Sequence, residues 1–445
     1  MLELTRYFLP ALSVLFMITL AKVLLYVPKD AEKLKRGKDN TPPTAAFPLI
    51  FLICFELMTA LQTIIFVNRE YIFDTVICFG SLIAITLSLY VVSLIANKQE
   101  NQPPAAELAA LYLTTIGFCI CASAEPSHQF KILTAAVLGV VVYVFLMILM
   151  KSSGFLVKMR FVMMGMAMLL LLLTIIFGEV RHGAQNWINL GFVTVQPSEF
   201  AKSLYIIACA GFFSTGSNVK KILTISVFTF VCMAMLVYMS DFGSALIFFV
   251  TLVIILILTS KSMLYVLALL GLAGAGGTGA VFVVPYVFKR FETWGKAFQF
   301  ANTGGFQQSR TLIAILSGGL FGLGAGQGFL RKVVASDTDL VFGIVCEEWG
   351  IITGLAALSC ILLLFLHTIR SVRFSSGSFY VIASIAAAGL FLFQTALNLF
   401  GSTDVLPLTG VTFAFVSNGG TSIIACWALL AIVKSARVHK RTDTT

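Results

Sequence analysis

Thirteen apolar runs of roughly bilayer-spanning length constrain this 445-residue chain more than any other feature. They lie near 8–27, 46–67, 73–96, 107–124, 130–150, 161–178, 201–216, 223–239, 242–259, 263–286, 340–366, 378–400 and 413–433. A helix needs about 20 apolar residues to cross the hydrocarbon core. Lipid offers backbone groups no partner, so a span must satisfy its own hydrogen bonds. Charged residues make up only 11% of the chain, against about 25% in soluble domains. The expected fold is all-α and polytopic, with about thirteen transmembrane helices. The first run follows Arg6 and lacks a small-residue cleavage site, which predicts a retained span rather than a signal peptide.

Basic residues orient the spans. With the loop at 28–45 placed in the cytoplasm, the cytoplasmic segments collect Lys29, Lys33, Lys35, Arg36, Lys38 and Lys98. Lys151, Lys158, Arg160, Lys220, Lys221, Lys261, Arg370 and Arg373 fall on the same side, as do Lys434, Arg437, Lys440 and Arg441 in the tail. Outer segments keep few, among them Arg6, Arg69 and Arg181. An outside N-terminus and a cytoplasmic C-terminus follow. The net charge of +10 then records topology and anionic headgroups, and argues against a nucleic-acid partner.

The chain divides into a three-span N-terminal extension (1–100), a polar linker with Pro103 and Pro104, a ten-span part (107–436) and a basic tail (437–445). No polar residue of the extension looks committed to chemistry. The nine cysteines lie in or beside apolar runs without finger-like spacing, which suits small apolar filler. His128, His182, His367 and His439 are scattered and form no metal or triad pattern.

Only twenty residues are acidic, yet four fall within SDTDLVFGIVCEEWG, Ser336 to Gly350. A carboxylate in or beside hydrocarbon is costly and marks a function or a partner. Asp339 can cap the helix beginning near Leu340. Alternatively, with Arg331 and Lys332 just before it and Arg290, Lys296 and Arg310 in the same long outer segment, it suits a polyanionic lipid substrate. A general base must reach the attacking hydroxyl, and cations would hold a departing pyrophosphate. Glu347 and Glu348, about two turns into the span, read as helix-organising acids or as catalytic ones. In QPSEFAK, Glu199 and Lys202 share a helical face as an ion pair or as substrate contacts. Asp241 reads as a cap or a packing acid. Gln307 and Gln308 suit sugar hydroxyls or loop donation. The glycines of SGG (317–319) and SNGG, Gly419 and Gly420 among them, permit close backbone approach. The glycine-interrupted stretch 311–330 is expected to form a helix lying on or dipping into the outer leaflet.

Five stretches in order, GAQNWINLGFVTVQPSEFAK, DFGSAL, FQQSRTLIAILSGGLFGLGAGQG, TDLVFGIVCEEWG and LPLTGVTFAFVSNGGTS, resemble the SEDS (shape, elongation, division and sporulation) family of FtsW, RodA and SpoVE proteins. The resemblance covers roughly 107–436 and implies a ten-helix core behind three extra N-terminal helices. It implies a peptidoglycan glycosyltransferase that polymerises lipid II at the outer face of the bacterial cytoplasmic membrane, with inversion. Asp339 takes the place of the essential carboxylate. Glu199, Lys202, Arg290, Gln307, Gln308, Arg310 and Lys332 become expected substrate-binding residues, and Trp187, Asp241, Glu347, Glu348, Gly419 and Gly420 supporting ones. It further implies a divalent cation, magnesium or manganese, with no ligand set identified. The implied partners are a class B penicillin-binding protein and other division or elongation proteins.

The chain departs from the family pattern at Asn186 (usually Arg), Ser240 (usually Pro), Arg310 (often Gln), Thr412 and Ala414 (both usually Pro) and Asn418 (usually Tyr). Two other readings stand beside the polymerase: a lipid II flippase, and a non-catalytic scaffold for a penicillin-binding protein. Crowding of the polar candidates toward the outer side favours the enzyme.

Overall fold

The computed structural model describes residues 2–26, 44–67, 69–97, 104–181, 183–191, 193–260, 262–283, 285–375 and 377–435. The basic cluster from Lys29 to Lys38, Lys98, Pro103, His182, Lys261 and the tail with Arg437, His439, Lys440 and Arg441 lie outside the described residues.

The chain forms two compact units. The first takes residues Met1–Val137, Arg310–Arg370 and Phe413–Asn418, and the second takes Leu138–Ser309, Ser371–Thr412 and Gly419–Thr445.

Helices α1 (Leu2–Leu24), α2 (Ala46–Phe66), α3 (Ile72–Asn97) and α4 (Ala105–Ala124) open the first unit. Every residue of α4 from Ala105 to Ser123 is buried, so it is the axis on which α1, α2 and α3 pack. The first unit also contains most of α13 (Phe306–Gly318) and of α14 (Val341–Ser371). Helix α14 is two helices in one: Gly350, at φ 85° and ψ 160°, breaks it after two turns. That backbone region is open only to glycine.

The second unit holds most of α5 (Gln129–Leu149), the short α6 (Ser153–Lys158), α7 (Arg160–Phe177), α8 (Pro197–Phe213), α9 (Val219–Tyr238) and α10 (Phe242–Thr259). Helices α11 (Met263–Val283), α12 (Pro285–Thr293), α15 (Ser378–Ser402) and α16 (Gly420–Lys434) complete it. Buried α8 packs against α7, α15 and α16. Pro197 opens α8 at a position where its missing N–H costs nothing.

Large apolar side chains cover the exposed faces: Phe73 and Ile95 in the first unit, and Phe145, Ile148, Phe161, Phe177 and Leu264 in the second. Such surfaces are at home in lipid. Among the described residues ten helices have membrane-spanning length and hydropathy, which makes this a multi-pass membrane protein. The other three expected runs also form helices, with shorter apolar lengths. The run at 201–216 forms the 17-residue α8, and the last forms the 15-residue α16 from Gly420. In α11 the apolar stretch counted is Met263–Gly279.

Two expectations change. The fold is mostly helical rather than all-α, because β1 (Glu179–Arg181), β2 (Ala184–Asn189) and β3 (Thr194–Val195) form an antiparallel sheet in that order. Glycine 191, at φ 89°, lies in the turn between β2 and β3. The stretch 311–330 is not one helix either. Helix α13 ends at Gly318, and Gly319 turns the chain at φ 56° into a glycine-rich strap.

Candidate active site

The strap, residues 319–329, lies against the break in α14. Because Gly350 interrupts the helical ladder, the Glu347 and Glu348 carbonyls are open to other donors, and they accept from Leu323 N (2.8 Å) and Gly324 N (2.9 Å). In return, Ile351 N donates to Gly319 O at 3.0 Å. The two side chains bind the same segment. Glu347 accepts from Phe329 N (2.9 Å) and Leu330 N (3.0 Å), and Glu348 accepts from Gly326 N (2.9 Å) and Ser123 Oγ (2.7 Å). Both are at most 2% exposed. Both carboxylates thus hold the strap against the break.

From the strap to Asp339 the chain is a run of turns. Lys332 N donates to Phe329 O, Val333 N to Leu330 O, Ser336 N to Val333 O and Asp339 N to Ala335 O (2.9 Å). The SNGG loop fixes this run from another side. Asn418 N donates to Asp337 O (2.9 Å), and Ser417 Oγ donates to Thr338 O (2.6 Å). The Asn418 amide, with its nitrogen toward Gly117 O (2.8 Å) and its oxygen accepting from Cys121 N (3.1 Å), enters the hydrogen-bond ladder of α4. Asp337 and Asp339 are half-buried beside these fixed carbonyls. Lys332 is exposed, with its ammonium 5.6 Å from the Phe329 ring centroid. Arg331 instead turns inward and donates to Ser123 O at 2.9 Å. It lines a cavity of about 230 Å³ with Thr63, Phe66, Val67, Pro126 and Gly326. Arg310 is exposed on α13.

In the second unit, Lys202 and Glu199 form a buried ion pair at 2.7 Å, with Lys202 Nζ also 3.4 Å from Gln394 Oε1. Gln394 Nε2 donates to Thr412 Oγ1 at 2.8 Å and Thr412 O at 3.0 Å. The pair is thus part of an internal network joining α8, α15 and the Thr412 segment. Asp241 caps α10 by accepting from Ser244 N (3.0 Å) and takes Asn186 Nδ2 at 3.4 Å. Arg290 donates to Leu408 O. Gln308 is buried, and its Oε1 has no hydrogen-bond partner among the described residues. Gln307 is half-buried beside it. Trp187 lies on β2 opposite Glu179, a carboxyl that its hydrogen bond from Arg181 holds below the usual carboxylate range. Gly419 precedes α16, and Gly420 opens it.

Two acids of the first unit were not anticipated. Glu56 on α2 is fully buried and accepts from Thr86 of α3 (2.7 Å) and Thr115 of α4 (3.2 Å). Glu107 on α4 accepts from Ser93 at 3.1 Å. The extension therefore holds a buried acid that packs it onto α4. A lone Glu inside LICFELMTALQ was the available signal. In the second unit, Asp404 accepts from Gly295 N (3.1 Å) and Ala297 N (3.0 Å), holding the segment after α12.

The sequence profile described as Cell cycle protein, FtsW/RodA/SpoVE, matches residues 111–442. The chain belongs to that family. It is 29% identical to the peptidoglycan glycosyltransferase RodA of Mycobacterium leprae over 57% of this chain and 58% of the other, so the match spans little more than half of that relative. It is 30% identical to the stage V sporulation protein E of Bacillus subtilis over 59% of this chain and 74% of the other. A chain from a structure of a peptidoglycan synthase complex, described as coordinating polymerization and crosslinking, has the same fold. Its TM-score is 0.63 at 24% identity, covering 76% of this chain and 98% of that one. The family match begins at residue 111, after α1, α2 and α3.

Proposed function

We propose that this chain is a peptidoglycan glycosyltransferase that polymerises lipid II at the outer face of the cytoplasmic membrane, in cell division or elongation. Family membership supports the reaction class. The observation that carries the site is the contrast among the acids of one segment: Glu347 and Glu348 are buried and bound to the strap, while Asp339 stays half-exposed on backbone fixed from two directions.

Asp339 takes the proton from the 4-hydroxyl of the GlcNAc of one lipid II. The oxygen attacks the anomeric carbon of the MurNAc at the end of the growing chain, and the bond to undecaprenyl pyrophosphate breaks with inversion. A positioned general base contributes about 10²- to 10⁴-fold to such a step. Arg310 and Lys332, exposed in the same unit, are assigned to the substrate's phosphates. In the second unit, Glu199 and Lys202 shape α8 from inside, Arg290 is assigned with the other cations to the pyrophosphate, and Gln307 and Gln308 are assigned to the lipid-linked sugars. A divalent cation at the pyrophosphate rests on the family resemblance alone. Among the described residues no three His, Cys, Asp or Glu side chains stand together to hold one, and no step here depends on it.

The proposed topology has the N-terminus outside, the C-terminus cytoplasmic, and residues 1–100 as a regulatory or docking addition to a ten-helix core. A class B penicillin-binding protein is the proposed partner, in keeping with the complex that shares the fold. The test is incubation of the purified chain with lipid II and a transpeptidase-blocked partner. New β-linked glycan and released undecaprenyl pyrophosphate are expected. Movement of lipid II across vesicle membranes without polymer would point to the flippase, and neither activity to the scaffold.

A further inference from the structure

The three N-terminal helices lie outside the family match, yet α1 and α2 touch the strap that leads to Asp339. On α1, Arg6 Nε donates to Gly322 O. The next residue, Tyr7, meets Phe321 edge-on with ring centroids 5.0 Å apart. At the end of α2, Phe66 lies over the glycines: a Cβ on Gly326 would stand 3.5 Å from Phe66 Cβ, and one on Gly324 3.7 Å from Phe66 Cε2. Glu347 and Glu348 grip the same backbone from α14, so the strap is held between the extension and the kinked helix.

The extension is anchored well enough to act as a fixed jaw. Glu56 ties α2 to α3 and α4 through two threonines. At the other end of α1, Leu24 O lies 2.7 Å from His367 Nδ1, and Leu25 O accepts from Arg370 at 2.7 Å, both on α14. The strap has little stiffness of its own. Residues 322, 324, 326 and 328 are all glycine, and the first three have positive φ. Glycine backbone has the most conformational freedom to lose, so external contacts must hold it in one shape. Phe66 also lines the cavity of about 230 Å³ beside Gly326 and Arg331. Past the strap, consecutive turn hydrogen bonds run from Phe329 to Asp339.

We propose that the N-terminal extension is a clamp on this strap, with Arg6, Tyr7 and Phe66 as positioning residues that set where Asp339 stands. The proposal rests on Asp339 being the base of the polymerase. It gives residues 1–100 a role in the chemistry without a contact to the substrate. Geometry at a reacting centre is steeply limiting: a displacement of about 1 Å can cost about 100-fold in rate.

Deleting the extension would strip α4 of its packing, so point variants are the test. Full-length wild type, Phe66→Ala, Phe66→Leu and Arg6→Ala are compared in two measurements. In lipid II polymerisation, Phe66→Ala and Arg6→Ala are expected to lower kcat by about 10- to 100-fold with KM nearly unchanged. Phe66→Leu, which keeps an apolar wall, is expected to recover most of the rate. In hydrogen–deuterium exchange, Phe66→Ala is expected to speed exchange through 320–340, including the turns before Asp339, and to leave 351–363 as in wild type. Normal kcat in both clamp variants, or faster exchange that stops before 333, would overturn the proposal. Exchange does not require turnover. If wild type fails to polymerise, the function reading fails on its own and the exchange result still decides whether the clamp reaches Asp339.

Discussion

Each of the six acids buried among the described residues keeps a donor within hydrogen-bond reach: Glu56, Glu107, Glu199, Asp241, Glu347 and Glu348. Removing one partner of such a set leaves the other stranded, and the cost is larger than the bond was worth. Lys202→Ala strands Glu199 and is expected to cost about 3–5 kcal/mol. The double change Glu199→Leu with Lys202→Met is expected to cost much less, since neither charge is left alone. Thermal unfolding in detergent distinguishes the two, and equal losses would mean that the pair is not the buried unit described here. Glu347→Ala leaves Phe329 N and Leu330 N without their acceptor, at about 1–3 kcal/mol for each. Its unfolding midpoint should fall clearly below wild type, and an unchanged midpoint would contradict that role. At this scale the sequence was partly legible. TDLVFGIVCEEWG sets the half-buried Asp339 apart from the two buried acids behind it. Glu56 was not read, because its threonine partners lie 30 and 59 residues away along the chain.

Among the elements, the break at Gly350 has the widest consequences. It opens two carbonyls to the strap and aims two side chains at it. Gly350→Ala would force a side chain into a backbone region that costs about 1–3 kcal/mol, and its Cβ would collide with Leu320 O. The expected result is a lower unfolding midpoint together with lost polymerisation. A variant as stable and active as wild type would show that the break is not needed. Helix positions were readable from apolar length, and ten of the thirteen runs became helices long and apolar enough to span. The kink was not readable, since a glycine in an apolar run looks the same whether or not the helix breaks there. The three-stranded sheet was missed for another reason. Its strands are two to six residues long and half-exposed, too short and too evenly solvated to show alternation.

For the whole molecule, the basic loops predict the orientation. Single cysteines introduced at Arg69 and Lys220 into a background lacking reactive thiols should label oppositely in intact cells: Arg69→Cys with an impermeant reagent, and Lys220→Cys only after permeabilisation. The reverse pattern would invert the topology and put Asp339 on the wrong side for lipid II exposed outside. The fold class was legible because lipid leaves a chain so few alternatives. The division into two units was not, since each gathers segments far apart in the sequence.

The central claim is that Asp339 is the polymerase's base, and polymerisation of lipid II by wild type against Asp339→Asn tests it most directly. The partner's transpeptidase is blocked, and both proteins are shown to unfold at the same temperature. Asparagine keeps the shape and loses the basicity, so glycan synthesis should fall by about 100-fold or more. Glycan chains made by Asp339→Asn at the wild-type rate would contradict the account and leave Asp339 a structural residue ahead of α14.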